Sequence, residues 1–171
     1  MNYEHEKVLK NEAKKQGLTV SSLLNQIVHR YVMFTRFAQK NPTISFTYRT
    51  FNPFLENFPK QELLTVGEKL GSSVPKDILL QRGKQKDVET CFWMLEQLFD
   101  KYKNWFQYTH TVVNGKDRAH LSHQLDPKWS IFLKGYMKGL FTTICDKNPE
   151  IFTSDNSITV QLKKEIKPKS F

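Results

Sequence analysis

His110, His120 and His123 stand close together in the sequence, and imidazole is the commonest protein ligand for a transition metal. Their spacing decides whether one ion can use them. "NWFQYTHTVV", Asn114-Gly115 and "KDRAHLSHQL" read as two strands joined by a two-residue turn. Val113 then faces Lys116 and His110 faces Ala119, so His110 and His123 share one face of the hairpin, roughly 13 Å apart at the rise of a strand. His120 points to the other face. No single ion joins all three within one hairpin, although ligands from a second subunit stay open. Hydrogen-bonded or half-exposed imidazoles are the simpler expectation, with no bound metal and no cofactor.

Nucleophilic chemistry finds less support. Cys91 and Cys145 are distant in sequence and lack a CxxC or Cys/His ligand spacing, which argues against a zinc knuckle or a disulfide scaffold and for reduced, packed thiols. Cys91 lies on an apolar helical stripe, where a thiol is hard to ionise and hard to reach. No Gly-rich turn surrounds a serine, no phosphate-binding Gly-rich loop is present, and Asp117 and Asp126 fall at a turn and at a helix cap. The chain is expected not to be an enzyme. One junction, "HQLDPKWS", passes from a strand end into a helix and brings His123, Lys128 and Trp129 together. A basic group and an aromatic ring at a helix start can hold a small anionic effector. The plainer reading makes Trp129 the first core residue of the helix and Lys128 a solvated side chain.

These residues need elements to carry them. "TISFTYRTF" alternates, with Ile44, Phe46 and Tyr48 on one face, and is expected to form a half-buried strand. The proline-punctuated "FNPFLENFP" reads as a loop. "KQELLTVGEKLGSS", "PKDILLQRG" and "KDVETCFWMLEQLFDKY" follow as helices broken at Gly71–Val74 and at Gly83, the last with Val88, Cys91, Phe92, Leu95, Leu98, Phe99 and Tyr102 inward. After the hairpin, Asp126-Pro127 opens a helix whose stripe runs from Trp129 through Phe132, Tyr136 and Met137 to Ile144. "SITVQLK" is the last strand, and "KKEIKPKSF" a basic, frayed tail. The fold class expected is therefore α+β: a helical pair over residues 1–40, then, over 41–171, a ferredoxin-like two-layer antiparallel sheet with helices on one face. Phe46, Tyr48, Leu121, Phe132, Met137 and Val160 are its expected core.

In the N-terminal part, a polar helix carrying Val8, Leu9 and Ala13 stops at Gly17, a residue suited to the left-handed end of a helix. A second begins at once, with Thr19 as N-cap and Val20, Leu23, Leu24, Ile27, Val28, Tyr31 and Val32 at helical spacing. The first helix is too short and polar to cover that stripe, so Leu23, Leu24, Ile27, Val28 and Tyr31 are expected to pair with a second copy, giving a homodimer or larger assembly.

The stretch "KNEAKKQGLTVSSLLNQIVHRYV" resembles the ribbon-helix-helix regulators. In that family two chains intertwine, a ribbon of N-terminal strands reads the major groove, and the start of the second helix holds phosphates. The resemblance implies DNA contact by Thr19, Ser21 and Ser22 after the Gly17 turn, with Lys14 and Lys15 beside them, and general physics agrees, since free amides, hydroxyls and a helix dipole attract phosphate oxygens. The family's strand precedes the first helix; here only the short acidic "MNYEHE" does, so base reading is not expected of these residues. Nickel-sensing members join the same module to a ferredoxin-like domain with His and Cys ligands, which the histidine spacing above does not reproduce.

Composition sets the frame. The 171 residues carry a formal net charge of +9, which favours a polyanionic partner, and 39% hydrophobic with 13% aromatic content suffices for a packed core. No apolar run approaches membrane-spanning length and no charged-then-apolar leader opens the chain, so a cytoplasmic protein with no membrane partner is expected. The function these features imply is a dimeric DNA-binding transcription regulator with a C-terminal sensor or assembly domain. The alternative is a ligand-binding or oligomerisation module without DNA contact.

Overall fold

The computed structural model describes residues 2–40 and 44–163, and the chain divides into two compact units, Met1–Ile44 and Ser45–Phe171. The basic tail from Lys164 onward, and Thr43 at the head of the expected first strand, lie outside the described residues.

In the first unit, α1 (Tyr3–Lys15) begins at Asn2, whose side chain accepts from the Glu4 amide at 3.2 Å. It ends as its sequence implies. Gly17 adopts φ +66°, and the Leu18 amide reaches back to the Ala13 carbonyl at 2.8 Å, closing the orphan carbonyls of the last turn. α2 (Val20–Arg30) starts at Thr19, whose Oγ1 accepts from the Ser22 amide at 3.0 Å. The helix then widens into a π-helical turn over Tyr31–Thr35 and closes with α3 (Arg36–Ala38).

The second unit is α+β. Its helices are α4 (Tyr48–Asn57), α5 (Lys60–Arg82), α6 (Val88–Trp93), continued by a π-helical segment over Met94–Asp100, and α7 (Lys128–Cys145). Strands β1 (Gln107–Val113), β2 (Lys116–Ser122), β3 (Glu150–Thr153) and β4 (Ser157–Lys163) form one antiparallel sheet in the order β1-β2-β4-β3. The hairpin register is the expected one: Val113 pairs with Lys116 and His110 with Ala119, because Asn114 and Gly115, at φ +50° and +68°, build the turn that holds it. α7 packs on the sheet face that carries Ala119, Leu121, Ile158 and Val160, all at 0% exposure.

Several expectations fail, each for a physical reason. Residues 44–48 are not a strand. Thr47 caps α4 by accepting from the Thr50 amide at 3.3 Å, and the supposed loop after it is helical, with Leu55 turned inward. An alternating run that ends in a capping threonine is equally a helix entrance, and where no strand among the described residues pairs with it, the cap decides. Phe46 and Tyr48, expected in the core, are 53% and 40% exposed; Leu121, Phe132, Met137 and Val160 are buried as expected. The fourth strand is instead β3, brought back by a tight turn in which the Ser154 amide donates to the Ser157 carbonyl at 2.8 Å. Among the described residues the elements thus run helices, β1, β2, α7, β3, β4, with no strand ahead of the first helices of the second unit as the ferredoxin-like order requires.

Nor is α5 broken at Gly71–Val74; it runs through Pro75 to a left-handed stop at Gly83. Its glycines are contacts. A methyl group on Gly67 or Gly71 would overlap the backbone carbonyls of Phe132 or Tyr136, and one on Gly135 or Gly139 would overlap those of Leu64 or Glu68. Two helices each carrying glycines four residues apart can bring their backbones into direct contact, and that packing outweighs the low helix propensity of glycine and proline.

Adding a methyl group should therefore have opposite signs on and off this interface. Gly71→Ala should lower the unfolding free energy of this unit by about 2–4 kcal/mol, where the same change on a solvated helix raises it by up to about 1 kcal/mol. Trp93, Trp105 and Trp129 all lie in the second unit, so urea unfolding followed by tryptophan fluorescence isolates it. A variant as stable as the parent would mean the helices do not touch there.

Candidate functional site

The start of α2 is a solvent-exposed polar corner. Thr19, Ser21 and Ser22 are exposed, and so are Lys14 and Lys15 at the end of α1. Thr19 Oγ1 donates to Ser22 Oγ at 2.9 Å as well as accepting from the Ser22 amide, so both hydroxyls are committed to the cap. The first ladder bond runs from the Leu23 amide to the Thr19 carbonyl, which leaves the Val20 and Ser21 amides outside the ladder at the positive end of the helix. Lys15 makes a loose, exposed pair with Glu12 at 3.8 Å, an interaction of little energetic weight.

The apolar stripe of α2 divides. Leu23 is buried at 7% exposure together with Ala13 of α1, so it is not free for a second copy as expected. Leu24, Ile27, Val28, Tyr31 and Val32 remain 37–58% exposed, a row of large apolar side chains open to solvent.

In the second unit, the "HQLDPKWS" junction is as compact as its sequence suggests, but Asp126, Lys128 and Trp129 are all engaged. Asp126 Oδ1 accepts from the Lys128 amide at 2.8 Å and starts α7. Lys128 Nζ donates to the carbonyls of Glu56 and Phe58 at 2.6 and 2.8 Å, closing the end of α4 rather than lying in solvent. Trp129 Nε1 donates to the Trp105 carbonyl at 3.0 Å, and its ring stacks on Phe132 at 4.6 Å between centroids. His123, 8% exposed, holds Ser130 Oγ through Nε2 at 2.8 Å, while its buried Nδ1 has no hydrogen-bond partner. Burial keeps its pKa below the ordinary imidazole value, against the opposing pull of the Leu125 backbone and the charge of Asp126.

The other histidines separate as their register dictates. His110 Nε2 lies 3.0 Å from Asp117 Oδ1 and its ring 4.9 Å from that of Phe92, on the face beneath the helices. His120 Nδ1 lies 3.1 Å from Thr159 Oγ1 on the opposite face. Among the described residues, no three His, Cys, Asp or Glu side chains gather as metal ligands, and no helix is long and apolar enough to cross a membrane.

Two groupings escaped the sequence. Cys91 and Cys145 meet, with Cys91 donating to Cys145 Sγ at 3.8 Å, across the contact of α6 with α7. Lys84 and Arg82 also lie over the Trp93 ring, at 4.5 and 5.7 Å from its centroid. The apolar stripes carrying Cys91 and leading to Cys145 were readable, but not that they face each other. No protein-family model matches the chain, and no curated protein matches it.

The environment of His123 gives stability a pH dependence of known sign. Above its ordinary pKa of 6.5 the imidazole is neutral in both states; below it the unfolded chain takes up a proton that the folded chain resists, so stability falls from pH 6.5 down to the lowered folded value. Tryptophan-monitored unfolding at about pH 5 and about pH 7.5 should show a smaller loss in His123→Gln than in the parent. Equal losses would mean that His123 is charged in the folded state.

Proposed function

We propose that this chain is a dimeric DNA-contacting regulator, with α2 supplying both the dimer surface and the phosphate contacts. The observation that carries the reading is a row of exposed apolar side chains, Leu24, Ile27, Val28 and Tyr31, on the helix whose exposed N-terminus lies beside Lys14 and Lys15. Apolar area of that kind is stabilised by a self-complementary partner, and a two-fold pair presents two helix starts to one duplex. The net charge of +9 supports a polyanionic partner. Phosphate contact comes from the Val20 and Ser21 amides, the Ser21 hydroxyl and the two lysines, with Thr19 and Ser22 shaping the helix start through the cap they share. Contacts of this type position a protein without reading sequence. The second unit, in this reading, serves as a sensor or assembly domain of a cytoplasmic regulator. The ferredoxin-like relationship suggested by one-sided strands remains part of this proposal only as a resemblance in layering.

A second reading is favoured by His123 Nδ1, which is buried without a hydrogen-bond partner at the start of α7. There the chain is a module that takes a small anionic effector or assembles, and does not touch DNA. Salt separates the two readings, because releasing counterions makes DNA affinity fall steeply as salt rises.

Binding to random duplex should follow salt and not sequence. Lys14→Glu with Lys15→Glu should weaken it and flatten the logarithmic salt slope by up to about 3.6 per dimer, at about 0.9 for each of four lost contacts. The dimer should survive that change, while Leu24→Asp with Ile27→Asp should give a monomer by light scattering. No retardation of any duplex at low salt removes the phosphate role, and a parent chain that is monomeric at micromolar concentration removes the dimer.

A further inference from the structure

Cys91 and Cys145 are 54 residues apart in sequence, yet Cys91 Sγ donates to Cys145 Sγ at 3.8 Å. A disulfide needs about 2.05 Å between sulfurs, so side-chain movement must close the pair by about 1.8 Å. Both are free thiols, and their surroundings differ sharply. Cys91 is at 0% exposure beneath α7, whereas Cys145, the last residue of α7, is partly open to solvent. A soluble oxidant meets Cys145 and not Cys91.

We propose that Cys145 is a site of reversible thiolation by low-molecular-weight disulfides, with Cys91 as the resolving thiol that converts the adduct into an internal disulfide between α6 and α7. In the first step the Cys145 thiolate attacks one sulfur of the disulfide RSSR. A Cys145–S–S–R bond forms, the RS–SR bond breaks, and the leaving thiolate takes the proton given up by Cys145, departing as RSH. In the second step Cys91 attacks the Cys145 sulfur. The Cys91–Cys145 bond forms, the bond to R breaks, and a second RSH leaves with the Cys91 proton. The two protein thiols lose two electrons and RSSR gains them.

The pair is polarised in the direction this order requires. The hydrogen bond from Cys91 holds the Cys145 thiol below its ordinary value, helped by the backbone of Lys147, so Cys145 ionises first. The same hydrogen bond, with burial, pushes Cys91 up, so it keeps its proton until a mixed disulfide lies against it. Because the Cys145 thiol donates to the Phe141 carbonyl at 3.1 Å, it is oriented before any oxidant arrives. Nothing in this inference depends on DNA contact by the first unit.

Oxidised glutathione tests it on the full chain. The parent should lose both thiols and two hydrogens in mass, carry no glutathione at the end point, and return to its starting mass with dithiothreitol. Linking the ends of a 54-residue segment should also raise Tm by about 10 °C. Cys91→Ala should stop at one glutathione per chain, on Cys145, and Cys145→Ser should take up none under native conditions. The proposal is overturned if the parent keeps both thiols, if it ends as a stable glutathione adduct, or if Cys145→Ser is modified as fast as the parent. The measurements on the parent decide the matter even where a variant folds poorly.

Discussion

The second unit depends on how closely α5 and α7 approach. At Gly67, Gly71, Gly135 and Gly139 there is no room for a side chain, and the backbone carbonyls of one helix occupy the space where the other helix would place a methyl group. Such an approach is rare in water-soluble packing because glycine destabilises a helix by about 1 kcal/mol relative to alanine. Four of them are offset here by continuous dispersion contact along two long helices, each atom pair contributing little and the sum much. With α5 on one side and the sheet on the other, α7 is covered over most of its circumference. That is why Ser130, Gly135 and Gly139 are buried along with its apolar stripe.

A helix covered on two sides leaves little space for polar chemistry around it. The rings of Phe99, Trp105, Phe132 and Tyr136 meet edge to face or tilted, with Phe99 and Trp105 stacked at 4.8 Å. The polar tips are used to tie elements together: Trp129 to the Trp105 carbonyl, Lys128 to the end of α4, His123 to Ser130. Tyr136 is the exception, its hydroxyl buried without a partner and its pKa pushed up by that burial. A hydrogen-bonded lysine and tryptophan are poor material for an adaptable pocket. The junction that looked most like a ligand site in the sequence works chiefly as a joint between α4, the sheet and α7.

What could be read from the sequence was local. The Asn114-Gly115 turn determines its own register, Gly17 and Thr19 determine a helix end and a helix start, and the stripe of α7 needs only its own period. What could not be read was decided by a distant partner. Gly71 is a helix breaker by composition and a helix contact once Tyr136 lies across it. "TISFTYRTF" has the period of a strand until the Thr47 cap and the burial of Leu55 make it the entrance to α4. β3 has four residues, too few for a period, and exists because β4 offers it an edge. The meeting of Cys91 and Cys145 belongs to the same class, since each stripe was legible and their mutual orientation was not.

The first unit rests on a different balance. A short helical pair buries few side chains, Ala13 and Leu23 among them, which is too little apolar area to offset the chain entropy of some forty residues. Its local devices are nonetheless in place, with side-chain caps on α1 and α2 and a left-handed glycine between them. Good caps do not make up for a thin core, because caps fix where helices begin but supply only about 1 kcal/mol each. The same economy bears on the polar corner. Thr19 and Ser22 spend their hydroxyls on the cap, so an anion arriving there would be met first by the Val20 and Ser21 amides and the Ser21 hydroxyl. An anion held there would thus lie beside the cap and not in place of it, so the helix start does not need the anion to keep its shape.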